Sequence, residues 1–512
     1  MKTNSLDFDA QALREKILDL AMRGKLVNQD PNDEPASVLL EKIKAEKVEL
    51  VKEKKIKKSK PLPEITDDEK PFDIPDSWEW VRLGDVITTI NGDRGKNYPG
   101  KKYWQSKGVP FLNAACLSAD KYIEKDKFNY ISNDRYNLLR SGFIEKNDIL
   151  YCIRGSLGKV GIVNINKGAI ASSLIIVRPF FKEQQNIDFL YYILSSSLNI
   201  DFIKKHRNGS AQPNIPGKDL LEMIIPLPPL EEQSRIAAKI AQLFALLRKV
   251  ESSTQQYAKL QTLLKSKVLD LAMRGKLVEQ DPNDEPASVL LEKIKAEKDQ
   301  LIKEKKIKRS KPLPPISDEE KPFEIPDSWE WVRLGDIGAW AAGATPSRKH
   351  PEYYGGTIPW LKTGDLNDGI VNETSEKITE LGVKNSSVKV NEPGNVLIAM
   401  YGATIGKLGI VGNQELVTNQ ACCGCSLFDG VHNWYLFYYL LASRKRLIDL
   451  GSGGAQPNIS KNKIEKFTFP LPPLEEQSRI AAKVAQLFAL LRKSEGFRFG
   501  YARKIGQASF KR

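Results

Sequence analysis

The chain has 512 residues, 41% hydrophobic and 28% charged, and its 78 lysines and arginines against 64 acids leave a net charge of +14. That length exceeds one ordinary core, so two or more domains are expected. No apolar run reaches the roughly 18 residues a membrane span needs and no signal peptide opens the sequence, which points to a cytoplasmic protein, while the basic balance points to an anionic partner such as nucleic acid.

Taken in order, residues 8–23 predict an amphipathic helix stopped by Gly24. The polar turn NQDPNDEP follows, and a second helix is predicted from Ser37 to about Lys58, with Val38, Leu39, Ile43 and Leu50 on its apolar side. Residues 41–60 hold nine lysines against four glutamates, and the later stretch 292–311 holds nine Lys/Arg against four acids. Each is therefore +5, so together they supply ten of the fourteen net charges, either as solvated helix faces or as a surface that follows a DNA backbone. A Pro-rich strap, PLPEITDDEKPFDIPDSWEW, then leads into a globular region. That region predicts strands at 86–90, 109–113, 147–153, 160–165 and 173–178, one helix at about 187–205, and a short strand near 222–226.

From Pro226 the sequence changes character. Ile236, Ile240, Leu243, Leu247, Val250, Thr254, Tyr257, Gln261, Leu264, Val268 and Leu271 follow one another in alternating steps of four and three. This a/d spacing marks a long helix with a narrow seam for a partner helix. Pro228 and Pro229 set its start, Glu231 and Glu232 suit its positive N-terminal end, and Gly275 supplies a stop. Roughly 40 helical residues would span on the order of 60 Å.

Beyond Gly275 the sequence repeats itself. LDLAMRGKLV at 18–27 returns at 269–278, QDPNDEPASVLLEKIKAEK at 29–47 returns at 280–298, and IPDSWEWVRLGD at 74–85 returns at 325–336. AQPNI at 211–215 returns at 455–459, and 226–249 returns at 470–493 with one change, Ile240 to Val484. Between these blocks, 86–208 and 337–452 diverge, although the second predicts strands at 358–362, 395–401, 408–412, 424–428 and 465–470 and a helix at 433–449 in the same order. Such a period is a duplicated domain pair, not a solenoid. A second long helix starting at Leu474 keeps its seam to Leu491 and then enters the Gly-interrupted tail EGFRFGYARKIGQ. The segment KSKVLDLAMRGKLV, which closes this helix in the first copy, has its counterpart at the N-terminus instead. The N-terminal helix is therefore expected to act as the detached end of the C-terminal one and to cover Ile480, Val484 and Leu487.

Motifs for catalysis are missing. GSLGKVGIV (155–163) and GATIGKLGIV (402–411) resemble a phosphate loop, but Lys159 and Lys407 are followed by Val160 and Leu408 where Ser or Thr would hold Mg²⁺, so each reads as a tight turn between strands. Neither a dinucleotide fingerprint nor an Asn-Pro-Pro-aromatic methyltransferase motif is present. Cys422, Cys423 and Cys425 suit a reducing compartment better than a disulfide framework, and they lack a second metal-ligand pair. No catalytic and no metal-binding residue is assigned. What remains are basic and aromatic loops in the divergent regions. The first region offers Arg94, Lys96, Lys101, Lys102, Tyr103 and Trp104, then Lys204, Lys205, Arg207 and Asn208. The second offers Arg348, Lys349, Tyr353, Tyr354, Lys362 and Thr363, then Arg444, Lys445 and Arg446. Arg and Lys can meet guanine edges or phosphates, which makes all of these DNA-binding candidates. Gln212, Asn214, Gln456 and Asn458 are identical in both copies, which favours a phosphate or structural role.

PLPPLEEQSRIAAKI and its twin PLPPLEEQSRIAAKV, the AQPNI before each, and the two WEWVRLGD blocks resemble the specificity subunits of type I restriction–modification systems, over the whole chain up to about Lys493. The resemblance implies an α+β fold with two target recognition domains separated by long antiparallel, coiled-coil-like helices in a circular, pseudo-twofold order. The expected parts are N-terminal helices at 1–60, recognition domains at 61–225 and 312–469, a helical spacer at 226–311 and a C-terminal helix at 470–512. It further implies a non-catalytic reader of a bipartite double-stranded DNA target that binds two modification (methyltransferase) subunits and two restriction (endonuclease/translocase) subunits. S-adenosylmethionine, ATP and Mg²⁺ would sit on those partners and none on this chain. The alternatives are a self-contained DNA methyltransferase or nuclease, which the missing motifs disfavour, and a coiled-coil adaptor without DNA binding.

The seam carries a testable expectation of its own. Inserting a heptad within residues 250–262 adds about 10 Å of helix in phase. The non-specific spacer of the methylated motif should lengthen while both half-sites stay the same; sequencing of the modified genome reads this, and an unchanged spacer would mean that the helix does not set the distance.

Overall fold

The computed structural model describes residues 9–118, 120–180, 186–207, 213–309, 311–451 and 458–509, with side chains omitted for 494–509. The chain divides into two compact units, Met1–Thr254 and Gln255–Arg512.

The apolar seam forms one helix of 44 residues, Leu230–Met273, about 66 Å long at 1.5 Å per residue. It stops as the sequence implies. Gly275 has φ +65°, and the N–H groups of Gly275 and Lys276 return to the carbonyls of Ala272 and Leu271 at 3.3 and 2.8 Å. The N-terminal helix, Ala10–Met22, ends in the same way at Gly24, with φ +66°. The seam itself departs from strict alternation. Ile236 and Ile240 are buried and Gln261 is too, but Leu264 is 43% exposed, and the buried residues of the last turns are Leu269, Ala272 and Met273. A straight helix drifts by about 20° per heptad against a 3.5-residue repeat, so the buried face moves off the seam.

In the first unit, Ile17, Leu18, Ala21 and Met22 of the N-terminal helix share one core with Ile236, Ala237 and Ile240. Arg14 pairs with Glu251 through two bonds of 3.0 and 2.5 Å, while Gln29, beyond the other end of that helix, reaches Glu232. The two helices are therefore antiparallel. In the second unit, Leu269, Ala272 and Met273 share a core with Ile480, Ala481 and Val484 of the helix Leu474–Ser509. That helix runs on through the Gly-containing tail. The expectation that the N-terminal helix covers Ile480 and Val484 is thus corrected: the second unit buries them with its own stretch of the long helix, and the N-terminal helix joins the core around Ile236 and Ile240.

The residues identical in both copies build one polar clamp, made twice. Glu232 lies in the first turn of the long helix with no solvent exposure. It accepts from the Trp78 indole N–H at 2.8 Å and from the Gln29 amide at 2.6 Å. Glu476 accepts from Trp329 at 2.9 Å and from Gln280 in the same way. Beside each, an arginine holds an aspartate with two bonds, Arg235 to Asp33 and Arg479 to Asp284. The next residue, Gln233, is buried; its amide donates to the Pro228 carbonyl at 2.9 Å, and Gln477 repeats this with Pro472 at 3.0 Å. Four residues after each Trp, Arg82 and Arg333 are buried and bond to the strap: Arg82 to the Pro63 and Glu64 carbonyls and Glu69, Arg333 to those of Pro314 and Pro315 and Glu320. Arg333 holds the Glu320 carboxyl down to about 2.

From the clamp, the strand Glu79–Arg82 carries the chain into the variable region, and Ile224–Leu227, its antiparallel partner, carries it out. Glu330–Arg333 and Thr468–Leu471 do the same in the second unit. Each strap therefore ends earlier than its composition implies, in a strand. Inside, Ile149–Cys152 lies between Leu174–Pro179 and Val160–Ile162, with Ile87–Asn91 on the far side of Leu174–Pro179. Ile149, Tyr151, Ile175 and Val177 face the helices, while Leu150, Cys152, Leu174 and Ile176 face a second small core. Burial on both faces explains the unbroken apolar runs. Behind that core a three-stranded sheet orders Asn129–Ile131, Val109–Leu112 and Ala169–Ile170. The second unit has the same layers, with five strands in the first sheet and four in the second. The helix expected over 187–205 is two, Ile187–Leu194 and Ser197–His206. Ser195 and Ser196 bond back to the Tyr191 and Ile193 carbonyls, and the Ser196 hydroxyl caps the second helix, so the serines compete with the helical ladder. The helix expected over 433–449 likewise breaks at Ser443.

The clamp gives a pH-dependent prediction. Burial raises the Glu232 carboxyl above its ordinary 4.5, against the lowering effect of Trp78 and Gln29. Trp78→Phe removes the indole donor, which should cost about 1–3 kcal/mol and raise the carboxyl further. An acid whose folded pKa lies above its unfolded one favours the folded state at low pH and loses that contribution as pH rises from about 4.5 through the folded value. Thermal unfolding at pH 5 and pH 8 should therefore show the variant's deficit growing with pH; an equal or smaller deficit at pH 8 would refute the clamp.

Candidate nucleic-acid interface

In the first unit the strand Ile87–Asn91 runs into a loop that crosses closely over the turn between Ala169–Ile170 and Leu174–Pro179. A Cβ on Gly92 would lie 2.6 Å from the Ile170 carbonyl oxygen. Asp93 is buried and pins this loop, accepting from the Gly95 N–H at 2.8 Å and the Arg140 N–H at 3.0 Å; those backbone bonds, Gly95 first, hold its carboxyl below the ordinary value. Arg94, next to it, is exposed. Lys96, Lys101 and Lys102 are exposed too, and among the described residues none of them pairs with a carboxylate. Tyr103, 39% exposed, lies under the Arg135 guanidinium at 3.7 Å. Trp104 turns inward: its indole donates to the Pro99 carbonyl and its ring packs on the core of Val109, Phe111 and Ile131, so it anchors the loop. Lys204 pairs with Asp201 across one helical turn, whereas Lys205 and Arg207 are exposed and unpaired among the described residues. Asn208, Gln212 and Gln456 lie outside the described residues.

The second unit uses its candidates differently. Glu376 takes both Arg348 and Lys362, at 2.8 and 2.9 Å. Arg348 also lies over the Tyr354 ring at 4.1 Å, and Tyr353 stacks on His350. Thr363 opens a short turn, Thr363–Asp365, fixed by the Lys362 N–H donating to Asp365. Arg444 pairs with Asp368, and Arg446 lies over the Phe467 ring at 4.8 Å, while Lys349 and Lys445 stay exposed. Three of the basic candidates here are therefore tied to carboxylates. In the lysine-rich helices, Lys47 and Lys298 turn inward to the Gly84 and Gly335 carbonyls at 2.9 and 2.8 Å. Cys422 faces one core and Cys423 and Cys425 the other, and burial raises all three thiols.

The glycine-lysine turns join antiparallel strands, as expected. The Cys152 N–H donates to the Lys159 carbonyl at 2.8 Å, and Ala399 repeats this with Lys407 at 2.9 Å. Their geometry also brings together side chains that the sequence alone did not single out. Arg154 bridges Asn214, with its Nε 3.4 Å from the Asn214 Oδ1, and the Ile215 N–H donates to the Ile153 carbonyl. In the second unit Tyr401 bridges Asn458, and the Ile459 N–H donates to the Met400 carbonyl. The repeated Asn-Ile is thus a structural splice against the end of the central strand. Arg154 and Tyr401 hold the same place. Ser172 and Gln420 also correspond, because the next carbonyls, of Ser173 and Ala421, accept from Ile153 and Met400. Residue-by-residue alignment of IRGSLGK with MYGATIGK was the signal that could have found them.

A family model for the type I restriction modification DNA specificity domain matches residues 75–261 and 326–495. The chain is 34% identical to the EcoAI specificity subunit of Escherichia coli, over 95% of this chain and 90% of that one. It is 31% identical to the EcoEI specificity subunit of the same organism, over 94% and 89%. Its fold is similar to a chain solved in work on complex assembly and conformational transition of the type I R-M system (TM-score 0.57, 21% identity, 86% of this chain and 97% of that one). It is also similar to the HsdS subunit of Thermoanaerobacter tengcongensis (TM-score 0.50, 21% identity, 86% and 97%). The chain belongs to the family of type I restriction–modification specificity subunits, the non-catalytic components of those systems. None of its helices, among the described residues, is long and apolar enough to cross a membrane.

Proposed function

We propose that the chain reads a bipartite double-stranded DNA target, one half-site per variable region, and directs two modification and two restriction subunits to it. The observation that carries this is the contrast between the copies. The clamp residues Trp78, Gln29 and Glu232 recur as Trp329, Gln280 and Glu476 with the same bonds. The regions hung from them diverge in sequence on similar sheets. A surface identical in both copies cannot tell two sequences apart, so it suits scaffold and partner docking, and discrimination falls to the divergent regions. The exposed side chains of Lys96, Lys101, Lys102, Lys205, Arg207, Lys349 and Lys445 suit phosphate contacts, whereas Arg348, Lys362 and Arg444, held by acids, suit positioning. The chemistry, with its S-adenosylmethionine, ATP and Mg²⁺, belongs to the partner subunits in this reading.

Exchanging residues 87–208 for those of a relative tests it. One half of the methylated motif should change and the other half should persist, as read by methylation-sensitive genome sequencing. A change in both halves, or in neither, would sink the assignment.

A further inference from the structure

At one corner of each variable region the backbone is the same and the side chains are not. The corner is made by the loop after the first sheet strand, the end of the central strand, the turn before the next strand, and the Asn-Ile splice. Gly92 and Gly343 mark the equivalence: a Cβ on Gly343 would lie 2.1 Å from the Thr418 carbonyl oxygen, and Thr418 pairs with Leu361 as Ile170 pairs with Leu112. At the tip, Gly155 and Gly402 adopt φ +79° and +83°, with nothing within 4 Å of where a Cβ would stand. The chain there borders open space, and only glycine holds that conformation without strain.

On this shared frame the first unit carries Arg94, in the loop after the first sheet strand, and Arg154, at the end of the central strand. Burial first, and then the like charge of Arg154, lower the Arg94 pKa. Among the described residues no carboxylate pairs with either; their polar partners are Asn91 and Asn214, each at 3.4 Å. The equivalent positions in the second unit carry Thr345 and Tyr401, and Gln420 stands where the first unit has Ser172. The Thr345 hydroxyl donates to the Gln420 carbonyl oxygen, and the Tyr401 hydroxyl lies beside the same amide. Gln420 is exposed, its orientation is fixed by Thr345 and Tyr401, and one amide N–H and its second carbonyl lone pair remain available. The two arginines thus present donors alone in one copy, and Gln420 presents a donor beside an acceptor in the other. Phosphates are the same in every sequence and would not require such a difference. Base edges do: guanine offers two acceptors in the major groove, and adenine an acceptor beside a donor.

We infer, resting on the bipartite reading above, that this corner is the base-reading surface of each unit, with Arg94 and Arg154 taking a guanine in one half-site and Gln420 an adenine in the other.

The test uses the chain assembled with its modification subunits. The wild-type motif is recovered by methylation-sensitive sequencing, and binding is then measured on duplexes carrying that motif or one substituted base pair. Gln420→Ala should relax discrimination at one A·T position by roughly 10- to 100-fold, in the half-site that the 87–208 exchange leaves alone. Arg154→Ala should relax one G·C position by a similar factor in the other half-site. Arg154→Lys keeps the charge but loses the forked geometry, and should relax the same position. Uniform weakening across all duplexes would mark phosphate contacts and overturn the inference, as would unchanged discrimination in both Gln420→Ala and Arg154→Ala. Those failures leave the bipartite reading standing, because it falls only if the wild-type assembly yields no two-part motif or the exchange alters both halves or neither. Both positions are solvent-accessible, and the subunit stoichiometry of each variant assembly shows that folding is retained.

Discussion

A carboxylate with no water around it must find its hydrogen bonds inside the protein or the fold loses several kcal/mol. Glu232 and Glu476 meet that demand with a tryptophan indole and a glutamine amide drawn from segments far apart in the chain: Gln29, Trp78 and Glu232 in one unit, Gln280, Trp329 and Glu476 in the other. Each clamp ties the N-terminal helical block, the entry strand and the first turn of a long helix at one point. The neighbouring glutamine pins the exit strand to that helix through the Pro228 and Pro472 carbonyls. The entry and exit strands then pair with each other. A variable region therefore starts and ends at one rigid spot, and its interior can change without moving the scaffold. The modular reading proposed above rests on that geometry rather than on any property of the loops.

Within each variable region the central strands are buried on both faces, which leaves only their ends and connecting turns to present different side chains. The Asp93 carboxylate and the Gly92 and Gly343 close approaches hold such turns against the sheet. Rigid sheets with variable rims suit recognition of a groove, where a displaced side chain would lose a bidentate contact.

Much of this was legible in the sequence. The repeat, the long helix, the stops at Gly24 and Gly275 and the four strands of the first unit's larger sheet follow from periodicity and glycine chemistry, which are local. The role of Glu232 was not legible. Its place near a helix N-terminus suggests a dipole partner, and only the tertiary fold shows a buried acceptor for Trp78. Trp104 reads as a DNA-binding candidate until the core of Val109 and Phe111 appears beneath it, and Arg444 does so until Asp368 appears beside it. Arg154 and Gln420 escaped because their significance lies in correspondence between copies, which needs registration of two diverged segments. The serine breaks after Leu194 and Ala442 were missed for a simpler reason, since apolar periodicity carries through them.

The helices pose a last question of pairing. Residues 18–22 and 269–273 are identical, and 230–249 and 474–493 differ only at Ile240 and Val484, so contact chemistry alone barely decides which helix partners which. One local difference favours the observed pairs. The Arg14–Glu251 pair has Lys265 and Glu495 at its equivalent positions, but in the second unit the buried Gln261 amide donates to the Leu491 carbonyl at 2.9 Å, where the equivalent of Gln261 in the first unit is Ala10. A single buried polar residue in a helical seam fixes register at a cost in stability. Connectivity does the rest. Residues 261–273 continue the same helix as 236–251 and cannot fold back onto it, so they must pair with the C-terminal helix, and the first half of the long helix is left for the N-terminal one. Duplication alone would leave two interchangeable helix pairs, and it is the unbroken run from Leu230 to Met273 that makes each pairing unique.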